Sequence, residues 1–165
     1  MIKNKKMIYI SGALTSISEQ ERIQLRKFYE ELGEICKEYN FEPYIPHIYG
    51  DPKFLAHLTA EQIDRRDRLA VTQSCLVIAY VRIPSTGVGI EIELAYHSNK
   101  PVILLYEKEK FEQRIISRLV RGNPSIKHEI VFSDFEDAKE KLKIYLNNFL
   151  EEIKAEDLPC PLQYN

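Results

Sequence analysis

A near-continuous apolar run, Cys75–Val81, constrains the fold of this 165-residue chain more than any other segment. Runs without polar alternation are typical of parallel strands that helices cover on both faces. Parallel strands are joined by crossover connections, which are usually helices. The run therefore predicts the central strand of an α/β fold.

Shorter apolar segments and helix-start signals alternate along the rest of the chain. Further strands are predicted at Met7–Ile10, Phe41–Ile45, Pro101–Tyr106 and Glu129–Phe132. Helices are predicted from the capping box at Ser18 through Ile35, from Thr59 to about Gln73, at Ile90–Ser98, at Phe111–Val120, and from Ser133 to about Ile153. Two connections are predicted to lack regular structure, the loop His47–Leu58 and the turn Pro84–Gly89.

This alternation of strands and helices requires right-handed crossovers and a parallel sheet with helices on both faces. We therefore expect one Rossmann-like or flavodoxin-like domain, a three-layer α/β sandwich around a five-stranded parallel sheet. The domain is predicted to span residues 1–158, and residues 159–165 are predicted to be a C-terminal tail. Ligands of such sheets bind at the carboxyl ends of the strands.

Charge and cysteine content narrow the classes of partner. The formal net charge of −2 argues against a nucleic acid as the main partner, but it allows a small anionic ligand. Cys36, Cys75 and Cys160 form no CxxC pair, so neither a zinc site nor any other metal or cofactor is expected. The absence of a signal-like or membrane-length apolar segment favours a cytoplasmic protein without a membrane partner.

The segment Pro84–Glu91 carries the strongest chemical signal. It follows the central strand and leads into a helix, so its backbone N–H groups can face an anion. Gly87 and Gly89 allow close approach to the backbone, and Ser85 adds a hydroxyl group. The alternative is a glycine turn that serves only to reverse the chain.

Two acidic side chains near this turn are candidates for catalytic groups. Glu91 lies where such sheets bind ligands, and a carboxylate there can attack the anomeric carbon of a sugar. Glu93 points about 200° away on a helix and is expected at the surface. A second carboxyl group is expected from the segment Asp64–Arg68, of which one acid need face inward while the rest form a solvated face.

Taken together, these motifs resemble the nucleoside 2-deoxyribosyltransferase superfamily, and within it the 2′-deoxynucleoside 5′-phosphate N-hydrolases. The resemblance covers most of the chain. It rests on Ser11–Leu14 after the first strand, on Asp67, on Pro84–Glu91, and on Ser117 before Arg121-Gly122.

The resemblance implies roles for individual residues. Glu91 would be the nucleophile that takes the glycosyl group, and Asp67 the acid that positions it or serves the departing base. Ser117 would reach the phosphate bound by a neighbouring subunit, which implies a homodimer. The other implied substrate contacts are Ser11, Gly12, Ala13, Leu14, His47, Ser85, Gly87, Val88 and Gly89.

One departure from the family leaves the substrate open. The N-hydrolases carry Ser and Arg in the first loop, where this chain has Ala13 and Thr15. Either another basic residue such as Arg82 or Arg121 compensates, or the substrate is an unphosphorylated nucleoside, as for a deoxyribosyltransferase. A phosphoribohydrolase of the lysine-decarboxylase-like type lacks support because its Pro-Gly-Gly-x-Gly-Thr signature is absent. A non-catalytic nucleotide sensor is the alternative from another class.

Overall fold

The computed structural model describes residues 5–15, 17–50 and 57–156. The predicted C-terminal tail and residues 51–56 of the predicted loop lie outside these ranges. Within the described part of the chain, no helix combines the length and apolar character needed to cross a membrane.

Five parallel strands form one sheet in the order β2-β1-β3-β4-β5. They are β1 (Met7–Gly12), β2 (Glu42–Tyr44), β3 (Leu76–Tyr80), β4 (Val102–Glu107) and β5 (Ile126–Phe132). Every residue of β3 is buried, as the apolar run predicts for a central strand. The predicted fold is confirmed, and the strand order is that of flavodoxin-like sheets.

The helices cover both faces of the sheet. They are α1 (Glu19–Glu38), α2 (Pro46–Gly50), α3 (Ala60–Gln73), α4 (Thr86–His97), α5 (Lys108–Glu112), α6 (Arg118–Arg121) and α7 (Phe135–Glu156). Helices α1 and α7 pack against each other on one face, and α3 and α4 pack on the other. The capping boxes predicted at Ser18 and Thr59 are both present.

Three predicted connections differ in the structure. Helix α4 begins at Thr86 rather than Ile90, because Ser85 caps it and the glycines adopt helical geometry. The predicted helix Phe111–Val120 is instead two short helices, separated where Arg114 adopts a positive φ of 58°. His47 lies in the short helix α2 rather than in a loop.

The sheet order determines where a ligand can enter. Strands β1 and β3 are neighbours, yet β1 leads into α1 on one face and β3 leads into α4 on the other. The connections diverge at the carboxyl ends of these two strands and leave a crevice between them.

Candidate active site

A pocket of about 590 Å³ occupies this crevice. Its walls come from the β1–α1 connection, the residues after β2, helices α1 and α3, and the start of α4. The lining residues are Gly12, Ala13, Leu14, Thr15, Arg22, Arg26, Pro46, His47, Ile63, Asp67, Ser85, Gly87, Val88 and Glu91. The two predicted catalytic acids therefore share one pocket with most of the predicted substrate contacts.

Glu91 is held from beneath by two hydroxyl groups of β1. The Tyr9 hydroxyl donates to Oε1 of Glu91 at 2.6 Å, and the Ser11 hydroxyl donates to Oε2. Tyr9 and Ser11 are two residues apart in a strand and so point to the same face. Ser11 is fully buried and does not line the pocket. The structure thus places Ser11 behind Glu91, whereas the sequence predicts it to contact the substrate.

Burial raises the pKa of the Glu91 carboxyl to about 7. Hydrogen bonds from Ser11 and Tyr9 oppose this increase, and the nearby negative charge of Asp67 adds to it. Burial, followed by the charge of Glu91, raises the pKa of the Tyr9 hydroxyl far above its usual value. Tyr9 therefore remains a hydrogen-bond donor at neutral pH, while Glu91 changes its charge there.

Asp67 has an anchor of its own on the edge strand β2. The Tyr44 hydroxyl donates to Oδ1 of Asp67 at 2.8 Å, and the Arg66 guanidinium lies 3.3 Å from the same oxygen. Tyr44 pairs in register with Tyr9, and their rings stack with centroids 5.4 Å apart. Each ring of this stacked pair therefore holds one of the two acids.

The neighbouring acids face away from the pocket. Glu93 is exposed, accepts a hydrogen bond from Asn123 at 2.8 Å and lies 3.1 Å from His97. Asp64 is exposed and pairs with Arg68 at 2.8 Å. This arrangement agrees with the helical spacing, which places Glu93 and Glu91 on different faces of α4.

The start of α4 borders the pocket where the chain follows β3, and its geometry suits an anion. Ser85 caps the helix, with its hydroxyl oxygen 3.4 Å from the Val88 nitrogen. The N–H groups of Thr86 and Gly87 belong to the first turn and so have no partner within the helix. A Cβ at Gly89 would meet nothing within 4 Å, and Gly89 lies outside the Glu91 pocket.

Ser117 does not reach the pocket of its own chain. It is exposed, caps α6 and lines a small separate depression together with Ser85 and Gly89. Beside it, Leu119 is 88% exposed. The sequence predicts that Ser117 serves a neighbouring subunit, and its position leaves that prediction open.

The loop after β1 is fixed by a buried tyrosine. Tyr29 donates its hydroxyl to the Ala13 carbonyl at 3.2 Å, and a Cβ at Gly12 would lie only 2.2 Å from its ring. Gly12 is therefore needed for close packing. His47 reaches the pocket wall and lies 3.0 Å from Glu30 of α1.

Sequence reasoning missed several residues of the site. Arg22 and Arg26 line the pocket, whereas Arg82 and Arg121, the residues that the sequence offers for compensation, pair with Glu107 and Glu129 and do not line it. The i,i+4 spacing of Arg22 and Arg26 indicates a shared helix face, but not that the face borders a pocket. No group of three or more His, Cys, Asp or Glu residues suited to a metal ion occurs among the described residues.

Comparison with known proteins identifies close counterparts of this architecture. Residues 8–139 match the family model described as nucleoside 2-deoxyribosyltransferase. The chain is 30% identical over 151 residues to the Methanosarcina mazei protein named "Putative 2'-deoxynucleoside 5'-phosphate N-hydrolase 1", covering 90% of this chain and 86% of that one. It is 25% identical to the mouse 5-hydroxymethyl-dUMP N-hydrolase, covering 87% and 79%. The solved structure of Clostridium botulinum CMP N-glycosidase superposes with a TM-score of 0.63 at 24% identity, covering 85% and 99%.

Proposed function

The chain belongs to the nucleoside 2-deoxyribosyltransferase family, and from this premise we propose that it hydrolyses the N-glycosidic bond of a (deoxy)nucleoside 5′-monophosphate. The products would be a free base and a sugar phosphate. The observation that carries the proposal is the buried carboxylate of Glu91, which Tyr9 and Ser11 hold at the wall of the pocket.

Glu91 acts as the nucleophile. Its carboxylate forms a bond to C1′ as the bond from C1′ to the base nitrogen breaks, and the electron pair of that bond leaves with the base. The base then gains a proton. Water next attacks C1′ of the glycosyl-enzyme, releases the Glu91 carboxylate and completes the sugar phosphate. Because the nucleophile must be ionised, we expect kcat/KM to rise with pH up to about 7, the pKa to which burial raises Glu91.

Asp67 serves the departing base. The Tyr44 and Arg66 donors keep its carboxylate at the β2 side of the pocket. From there it can orient the base, accept the proton that the attacking water loses and deliver that proton to the departed base. Two carboxyl groups with separate anchors fit the two roles that glycoside hydrolysis requires.

The phosphate would bind where α4 begins. The cap residue Ser85 and the first backbone N–H groups of α4 provide donors and the positive end of the helix dipole. The cytidine and deoxynucleoside monophosphates in the names of the similar proteins favour a phosphorylated substrate for this chain as well. Since Ala13 and Thr15 lack the charge of an arginine, the preference for the monophosphate over the nucleoside should be modest.

A homodimer would complete this phosphate site. Ile115 is exposed and lines the depression that contains Ser117 and Ser85, and the exposed Leu119 and Ile90 adjoin its lining residues Val120 and Gly89 in sequence. Their association with a second copy would bring the partner's Ser117 to the start of α4.

A deoxyribosyltransferase is the second candidate, because a second base could replace water at the same glycosyl-enzyme. A nucleotide sensor is the third, although a sensor has no need of a buried nucleophile. Chromatography of reactions with and without an acceptor base separates the three. Release of free base without acceptor supports the hydrolase, base exchange alone supports the transferase, and an unchanged ligand supports the sensor. Faster turnover of a nucleoside than of its monophosphate would overturn the proposed substrate.

A further inference from the structure

The pocket has two ends, which the sheet order separates. Strands β2 and β3 flank β1 on opposite sides. Pro46 and His47 follow β2, whereas Ser85 and Gly87 follow β3, and all four line the pocket. If the phosphate binds at the start of α4, as the proposed function holds, the base occupies the end beside β2.

Two arginines of helix α1, Arg22 and Arg26, face that base end. Positions 22, 26 and 30 recur every four residues and therefore share one stripe of the helix. The last of them, Glu30, contacts His47 at 3.0 Å, so the stripe faces the residues after β2. Glu21, about 140° around the helix from Arg26, instead contacts Arg82 after β3 at 3.6 Å.

The base end is therefore lined from both layers. Arg22 and Arg26 approach from the α1 layer, and Asp67 approaches from the α3 layer. Neither arginine is among the site residues that the family resemblance assigns. A keto base that leaves with the electron pair of the glycosidic bond spreads negative charge onto its carbonyl oxygens. Guanidinium groups placed at those oxygens stabilise charge that exists only as the bond breaks.

We propose that Arg26, supported by Arg22, binds the keto oxygens of the leaving base and stabilises its developing negative charge, so that the enzyme favours keto bases. This inference rests on the proposed function. In the first step the C1′–N bond breaks toward the base and the C1′–O bond to Glu91 forms. The base anion takes up a proton afterwards, so the arginines transfer no proton themselves.

Arg26 is the better residue to test. Arg22 donates through Nε to the Leu14 carbonyl at 3.2 Å and through Nη1 to Glu19 at 2.9 Å, so its substitution would also release the loop after β1. The matched control is Arg68→Met, because Arg68 is exposed on α3 and pairs with Asp64. Thermal unfolding of each variant checks that the fold persists, and Arg26→Gln replaces Arg26→Met if the latter fails to fold.

The experiment compares two leaving groups on the same sugar phosphate. One substrate is dUMP or dIMP, and the other is 4-nitrophenyl 2-deoxyribose 5-phosphate, whose nitrophenolate needs little stabilisation. We expect Arg26→Met to lower kcat/KM for the keto nucleotide by roughly ten- to a hundredfold, the usual effect of losing a charged hydrogen bond, and to change the nitrophenyl substrate little. Arg26→Lys should restore part of the loss, and Arg68→Met should match the wild type.

Other outcomes would overturn the inference in distinguishable ways. Equal losses for both leaving groups, together with no loss for the unphosphorylated nucleoside, would assign Arg26 to the phosphate. No loss for either substrate would leave Arg26 without a role in the reaction. Failure of the wild type to release a leaving group from any substrate would instead overturn the proposed function, and this inference with it.

Discussion

The floor of the pocket and the neighbouring rim, formed by the start of α4 and the depression at Ser117, are built in contrasting ways. On the floor, Glu91 and Asp67 are each held by a tyrosine, and the two tyrosine rings stack on each other. At the rim, Ser85 and Ser117 each accept a hydrogen bond from a backbone N–H group of their own helix. The contrast teaches that the two acids are fixed by contacts within one chain, without a ligand. In the proposed dimer, by contrast, a second subunit would complete the anion site.

The largest loss of turnover is expected when Glu91, the proposed nucleophile on the floor, is replaced. We expect Glu91→Gln to reduce turnover by roughly a thousandfold or more, because the amide has similar shape but is a poor nucleophile. Substrate affinity should change little, since the wall of the pocket is preserved. Release of free base measured by chromatography checks this, with Glu93→Gln as the control. A similar loss in the two variants would contradict the opposite facing of these residues.

Substitution of the second acid of the floor, Asp67, should have the next largest effect on turnover. We expect Asp67→Asn to lower kcat by roughly two to four orders of magnitude, the usual contribution of a positioned acid–base group. Asp64→Asn, on the solvent side of the same helix, should have little effect. Steady-state kinetics on one monophosphate measures both. If the two variants lost equally little activity, Asp67 would belong to the solvated face rather than to the site.

Substitutions at the rim should reduce activity less than those on the floor, and they should act mainly on substrate binding. We expect Ser117→Ala to raise KM for the monophosphate by about tenfold, in keeping with the loss of one hydrogen bond to a charged group, and to affect the nucleoside less. Leu119→Ser, at the exposed neighbour, should weaken the dimer, which light scattering detects. A fully active monomer would refute the shared site.

A mixing experiment tests the shared site directly. Chains carrying Glu91→Gln and chains carrying Ser117→Ala should each be impaired alone. In a mixed dimer, one site combines intact Glu91 with the intact Ser117 of the partner, so mixing should restore activity. Two Glu91→Gln preparations mixed in the same way should gain nothing.

The last expected effect is on stability rather than on turnover, and it concerns the cost of keeping Glu91 on the floor. Because burial raises its pKa from 4.5 to about 7, the folded chain binds this proton more tightly than the unfolded chain. Stability contributed by this group is therefore lost as pH rises from about 4.5 to 7. Glu91→Gln should remove that loss and exceed the wild type in free energy of unfolding at pH 8 by up to roughly 3 kcal/mol. Denaturant unfolding at pH 5 and pH 8 measures the difference, and an identical pH dependence in both proteins would contradict it.

Much of this fold follows from local pattern. The apolar run Cys75–Val81 predicted β3, and the capping boxes predicted the starts of α1 and α3, because burial and end-capping are properties of short segments. The inward facing of Glu91 follows in the same way from helical spacing. The start of α4 was missed because Gly87 and Gly89 have low helix propensity, which the Ser85 cap and tertiary packing override.

The supporting residues of the site required the three-dimensional arrangement. The spacing of Tyr9 and Ser11 shows that they share a strand face, but not that Glu91 lies above them. Tyr44 reaches Asp67 only because β2 pairs with β1 in one register, and sequence alone does not fix that pairing. Arg22 and Arg26 likewise became visible as pocket residues only once α1 was placed beside the residues after β2.

The register between β1 and β2 also makes catalysis sensitive to chain length at a distance from the pocket. Strand β2 has three residues and lies at the edge of the sheet beside β1, so a change in the turn at residues 39–41 could shift it without unfolding the sheet. A shift of one residue turns every side chain of a strand to the opposite face. A single inserted residue would therefore turn the Tyr44 side chain away from Asp67. The chain would still fold, but its catalytic activity would be lost. A shift of two residues would restore the facing of the side chains but leave Tyr44 about 6.6 Å along the strand from its present place, so Asp67 would lose its hydroxyl donor in that case as well.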